Sequence, residues 1–143
     1  MYGNTALNLV CDYGLGDVAL EMLEFGAEAC NLGQVNTYGW TALQWACHRG
    51  LDAVAHKILN VGAEACNVGC VNKAGETALI LACRCGLFSV ALRLLSFGTN
   101  TCRLHQIDEN GKTARMYAEE GGDVMRPVVD EIDRIRAEAL PSS

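Results

Sequence analysis

Nothing in this 143-residue chain approaches the roughly 20 consecutive apolar residues that a membrane-spanning helix needs. The opening stretch MYGNTALNLVCDYG has no basic cluster leading into a greasy segment, so no secretory leader is expected. Positive charge is scarce: 11 Lys and Arg stand against 17 Asp and Glu, a formal net charge of −6. That field repels a phosphate backbone, which argues against nucleic acid as a partner. No membrane role is expected either. Histidine is limited to His48, His56 and His105. None lies in a G-x-S-x-G or H-E-x-x-H motif, and there is no Gly-rich phosphate loop. His48 follows Cys47 directly, but Cys47 reads as core and His48 as helix surface, so no catalytic pair is assigned. The chain reads as non-enzymatic and without a cofactor.

What is present is repetition. GAEACNLGQVN begins at position 26 and GAEACNVGCVN at position 62, 36 residues later. The chain divides into rows 3–38, 39–74, 75–110 and 111–143, each opening on a glycine: Gly3, Gly39, Gly75 and Gly111. Rows one and two agree at 19 of 36 positions. Each row carries two short helical patterns. The first follows Thr5, Thr41, Thr77 or Thr113, a residue able to cap the orphan amides of a first turn. It ends at Gly14, Gly50, Gly86 or Gly122, which can take the left-handed position past a helix. The second ends at Gly26, Gly62 or Gly98. A β-branched residue (Val35, Val71 or Ile107), then Asn36, Asn72 or Asp108, then glycine three residues on, predicts a short hairpin arm and turn.

The eight cysteines obey the same period. Cys11, Cys47 and Cys83 form one column, and Cys30, Cys66 and Cys102 another, leaving Cys70 and Cys85 out of step. Equivalent positions on neighbouring helices lie roughly 8–10 Å apart, beyond the ~7 Å Cα separation of a disulfide. The columns therefore read as small buried hydrophobes in an intracellular, reducing compartment, most simply the cytoplasm. Cys66-x-x-x-Cys70 and Cys83-x-Cys85 have short spacings, but a zinc site wants four converging ligands. Residues two apart on a helix point about 200° apart. No metal site is assigned.

The phrase G-x-T-A-L-x-x-A-C, the glycine eleven residues after the first, and the Gly-Ala-Glu that closes the second helix resemble the ankyrin repeat. Two features depart from that family. Ala6, Ala42, Ala78 and Ala114 occupy the place of its usual proline, and the period is 36 rather than about 33. The extra residues fall inside CNLGQ, CNVGC and CRLHQ. The resemblance implies one domain over residues 1–143: an all-α solenoid of stacked helix-turn-helix repeats with short β-hairpin loops and a concave groove. Such units cannot bury their apolar faces alone, so equivalent positions should form shared core columns. Those columns are Leu7, Leu43 and Leu79; Leu23, Leu59 and Leu95; and Val18, Val54 and Val90. Trp45, in a column with Leu9, Leu81 and Tyr117, reads as core. Row four places Arg115, Glu119 and Glu131 in these columns and reads as a polar C-terminal cap, with Pro127 near the start of a last helix running to about Leu140 and stopped by Pro141. Row one stays apolar and Met1-Tyr2 leaves no room for a leading arm, so the chain reads as a piece of a longer array, or as a monomer prone to weak self-association through an uncapped N-terminal end.

The resemblance also implies a protein or peptide partner lying across the hairpin tips and first helices. Carried onto this chain, the exposed positions include Tyr13 in row one; Tyr38, Trp40, Gln44, His48 and Arg49 around row two; Lys73, Glu76, Ile80, Arg84 and Cys85 around row three; and Lys112 in row four. These columns vary from row to row while the core columns repeat. Trp40, Tyr38 and Arg49 are residue types that anchor interfaces, and Trp40 has no evident packing duty. Asp12 at one end and Glu109, Glu119 and Glu120 at the other flank His48, Arg49, Lys73 and Arg84, an order suited to a peptide with central carboxylates. The competing readings are a structural spacer array and a cysteine-based metal or redox sensor.

Overall fold

The computed structural model describes residues 3–26 and 30–139. The Met1-Tyr2 start, the Ala27-Glu28 portion of the Gly-Ala-Glu phrase, and the expected stop at Leu140 and Pro141 lie outside the described residues.

The helices come in pairs: α1 (Ala6–Asp12) with α2 (Gly16–Glu24), α3 (Ala42–His48) with α4 (Asp52–Leu59), and α5 (Ala78–Arg84) with α6 (Phe88–Leu95). A four-residue α7 (Thr99–Cys102) follows, then α8 (Ala114–Glu120), a 3-10 turn over Gly122–Met125, and α9 (Arg126–Ala139). The first helices of the pairs stack on one another in chain order, α1 on α3 on α5 on α8, and so do the second helices, α2 on α4 on α6 on α9. The fold is an all-α repeat solenoid.

Local chemistry explains where each helix begins and ends. Oγ1 of Thr5, Thr41, Thr77 and Thr113 accepts from the amide three residues on, at 3.0, 3.2, 3.2 and 3.4 Å. Alanine then opens the helix, needing no rotamer restriction. At the other end, Gly14, Gly50 and Gly86 adopt φ of 73°, 72° and 74°. The next residue's amide reaches back to close the turn: Leu15 N to Val10 O at 3.0 Å, Leu51 N to Ala46 O at 2.8 Å, Leu87 N to Ala82 O at 2.9 Å. This is the Schellman arrangement, which turns the chain directly into the second helix. Pro127 is the second residue of α9, where a missing amide leaves nothing unsatisfied.

In rows two and three the residues beyond a 33-residue period form a short helical turn ending in a left-handed residue, Asn67 or Arg103, with φ of 59° and 53°; Asn31, at the same place in row one, has φ of 50°. The turn buries Leu32, Val68 and Leu104 beside Cys66 and Cys102, with Cys30 half-buried at the same place in row one. The insertion thus adds an apolar column of its own. Gly33 and Gly69 are glycines because the next unit's backbone lies against them: a Cβ there would come within 2.9 Å of Ala65 O and Thr101 O.

Three expectations change. Among the described residues there is no strand, so the hairpin arms are turns. Each is held by its Asx side chain: Asn36 Oδ1 accepts from the amides of Tyr38 and Trp40, both at 2.9 Å. Asn72 and Asp108 do the same for Ala74 and Glu76, and for Asn110 and Lys112. Because the side chain supplies the acceptor, a strand ladder is not needed. Second, the leucine columns are buried as expected, but Val18 is 44 % exposed where Val54 and Val90 are buried. Its column faces the preceding unit, and none lies against it among the described residues. Third, Ile80 is buried in α5 rather than exposed. In row four, Arg115 pairs with Glu119 and Asp133, so the polar replacements bond to each other at the end of the stack.

Candidate docking face

The turn tips and the ends of α1, α3, α5 and α8 form one continuous face. Successive tips are tied by single backbone bonds, Lys73 N to Tyr38 O at 3.0 Å and Glu109 N to Ala74 O at 2.8 Å. Their approach is close: a Cβ on Gly39 or Gly75 would sit 3.0 Å from the Cα of Asn72 or Asp108. The face is therefore a rigid ledge.

Most of the expected residues are brought together there. Tyr13 is 74 % exposed, and Tyr38, Arg49, Lys73 and Arg84 are also exposed, with His48 and Lys112 half-buried. Lys73 Nζ lies 5.9 Å from the centre of the Tyr38 ring. Trp40 is not the free anchor expected. It is half-buried and stacks on Trp45 with ring centroids 4.2 Å apart, and His48 meets both rings edge-on at 5.4 and 6.0 Å. Trp45, in turn, is half-buried rather than core. The two tryptophans shield each other, something spacing alone does not reveal. Burial, then the guanidinium groups of Arg84 and Arg49, hold the His48 imidazole below its ordinary value, against smaller pulls from Glu76 and Asp12.

Gln44 and Glu76 lie beneath this face. Gln44 is buried, and its Nε2 donates to Cys70 O at 2.9 Å and Glu76 O at 3.4 Å, fastening α3 to the next turn. Glu76 is buried as well; it accepts from Asn72 Nδ2 at 3.1 Å and pairs with Arg84. Arg84 lies over the Tyr117 ring at 5.9 Å. Tyr117 donates its hydroxyl to Asp108, and Lys112 sits 5.1 Å from the same ring. Burial raises the Asp108 carboxyl, but the Tyr117 hydroxyl and the amides of Lys112 and Asn110 outweigh it and hold the group below the usual carboxylate range. Asp108 and Tyr117 belong to this site although sequence reasoning placed them in turn and core roles; the only signal was Asp in a column otherwise Asn.

The charge order is also altered. Arg49 pairs with Asp12 at 2.9 Å, Arg84 with Glu76, and Lys112 with Glu120 at 2.6 Å. Of the expected basic centre, Arg49 and Arg84 each meet a carboxylate of the same molecule, while among the described residues Lys73 and His48 do not.

All eight cysteines are unbridged. Burial pushes the thiols of Cys11 and Cys83 up to about 12, and those of Cys66 and Cys102 up to about 11, even though backbone bonds oppose it at the latter two. Thiolate, the reactive form, is scarce there at neutral pH. No group of three or more His, Cys, Asp or Glu among the described residues is arranged to hold a metal ion. No helix among them is long and apolar enough to cross a membrane.

The ankyrin repeat family model matches residues 38–73, one period running from the second turn tip through α3 and α4 to the next tip. Ankyrin repeats are in general protein–protein interaction modules and typically non-catalytic. No curated protein matches the chain.

Proposed function

We propose that residues 1–143 form a single domain of four ankyrin-type units, 3–38, 39–74, 75–110 and 111–143, the last serving as a cap. It works as a non-catalytic module binding a protein or peptide partner, in a reducing intracellular compartment. The partner lies along the ledge, and contact is made by Tyr13, Tyr38, Arg49, Lys73 and the accessible edges of Trp40 and His48. The observation that carries this reading is the contrast between buried columns that repeat and a rigid exposed ledge whose side chains do not. Packing constrains the former; recognition accounts for the variety of the latter.

Replacing Tyr38 and Lys73 by alanine tests the reading. The doubly substituted chain should keep its helical content and melting temperature, yet lose tenfold or more in affinity for a partner cross-linked to the native chain in lysate, as roughly 1.4 kcal/mol at a contact implies. Equal capture by native and substituted chains would remove the ledge from the reading.

One observation favours a second reading, a structural spacer. Arg49, Arg84 and Lys112 bond to Asp12, Glu76 and Glu120, which leaves less charge available to a partner. A spacer would show only stability effects from the same substitutions.

A further inference from the structure

The interfaces between successive helix pairs have a direction. Across the first two, the charged and thiol donors at the helix ends belong to the later pair and their acceptors to the earlier one, whereas Gln44, deeper in the stack, donates forward to the next turn. Arg49 donates to Asp12 at 2.9 Å and Lys57 to Glu24 at 3.2 Å across the first interface. Cys85 Sγ donates to His48 O at 3.5 Å and Arg93 to His56 O at 2.8 Å across the second, where Arg93 also reaches Asn60 Oδ1. Beneath these bonds the leading side of the later pair is apolar. Val54 and Leu51 pack on Gly16, 4.0 and 3.4 Å from where its Cβ would be, and Val90 is wholly buried at the position equivalent to Val54.

The first pair has the same leading side with nothing on it among the described residues. Leu9, Leu15 and Val18 are all exposed there. One residue breaks the pattern. Glu21 stands 36 before Lys57 and 72 before Arg93, so a carboxylate replaces the two cations. Glu21 is exposed and makes no ion pair among the described residues. Asp17, also exposed, adds a second negative charge to α2.

We propose that this leading side is a docking surface separate from the ledge, and that its occupant is a helix pair carrying an apolar trailing side and a lysine or arginine opposite Glu21. The chain's own interfaces define the shape of the occupant, since the equivalent positions one and two units along, Val54 and Val90 among them, are covered by helix pairs. Glu21 defines its charge. A unit like the second, which presents Asn60 at the facing position, leaves the carboxylate without a cation. A second copy meeting through the same side would bring the Glu21 and Asp17 carboxylates of two protomers together, an arrangement that like-charge repulsion opposes.

The facing positions are 33 residues apart: Glu24 meets Lys57, and Asn60 meets Arg93. A copy of residues 39–74 fused ahead of Gly3 in the full chain therefore places the copy's Asn60 opposite Glu21. Three fusions would carry Asn, Lys or Glu at that position of the copy, the original Asn60 being left unchanged. The melting temperature should rise in the order Glu, Asn, Lys, with Lys above Glu by roughly 2–4 °C. The order should invert when Glu21→Lys is introduced. The Asn fusion serves as the folding control in both backgrounds. An order unchanged by Glu21→Lys, or melting temperatures indifferent to the three residues, would overturn the proposal. So would sedimentation of the native chain as a dimer that Leu9→Asp dissolves, because a second copy would then be the occupant. Neither result bears on the ledge, whose residues are untouched.

Discussion

Asn8 is fully buried, and among the described residues neither its amide nitrogen nor its oxygen has a hydrogen-bond partner. One unit along, Gln44 occupies the same position and reaches Cys70 O with its longer side chain. In the next unit Ile80 fills the position with no polar atom at all. An unsatisfied buried amide costs about 1–3 kcal/mol. Asn8→Leu, which keeps the same branched skeleton and removes both polar atoms, should therefore stabilise the chain by roughly 1–2 kcal/mol, read as an increase in the denaturation midpoint without a change in slope. A lower midpoint would show that an unseen bond had been lost. His48 supplies a second residue-scale prediction. Its folded value lies below the ordinary 6.5, so protonation favours the unfolded chain. Stability should be full above about pH 6.5, fall as the pH drops from there toward the lowered value, and then level off until the Asp108 carboxyl begins to protonate further down. His48→Gln should abolish the first decline and leave the second. Chemical denaturation across pH 5–7 reads the first decline, and extending the series below about pH 4 reads the second.

Among the elements, the short turns between helix pairs determine how closely the units approach. Gly69 lies against Thr101 O, where an added Cβ would be 2.9 Å away. The equivalent residue in the third row is His105, exposed because no repeat turn follows it. Gly69→Ala should thus destabilise by about 1–3 kcal/mol through forced separation of two backbones, while His105→Ala should stay within about 0.5 kcal/mol. Thermal denaturation of both variants decides the matter; equal effects would mean that the backbones do not meet there. The four threonine caps and the glycines after each first helix were legible in the sequence because each acts within five residues. The role of the turn glycines was not legible, since the contact that requires them lies more than thirty residues away. For the same reason the hairpin arms read as strands: β-branched residues beside an Asx-x-x-Gly turn suit an arm equally well whether or not a ladder forms.

At the scale of the whole molecule, a constant 36-residue period was enough to give helix pairs, their order and most of the core. It was less informative about the ledge. Columns mark which positions are equivalent, and burial then differs along a column with its place in the stack. Val18 shows this at the first unit and Met116, exposed where Ile80 and Gln44 are buried, shows it at the last. Gln44 and Glu76 varied between rows as recognition residues do, yet they serve to lock neighbouring units. Trp40 and Trp45 each looked simple alone and became a stacked pair only when α3 was placed under its turn.

The central claim is that these units stack in register and bury their shared columns while the ledge stays open. The cysteines provide eight reporters already distributed for that purpose. Under native reducing conditions, timed alkylation mapped by mass spectrometry should modify exposed Cys85 first and the half-buried Cys30 and Cys70 next, with Cys11, Cys47, Cys66, Cys83 and Cys102 protected until the chain unfolds. Cys47 or Cys83 reacting as fast as Cys85 would contradict the stacked architecture.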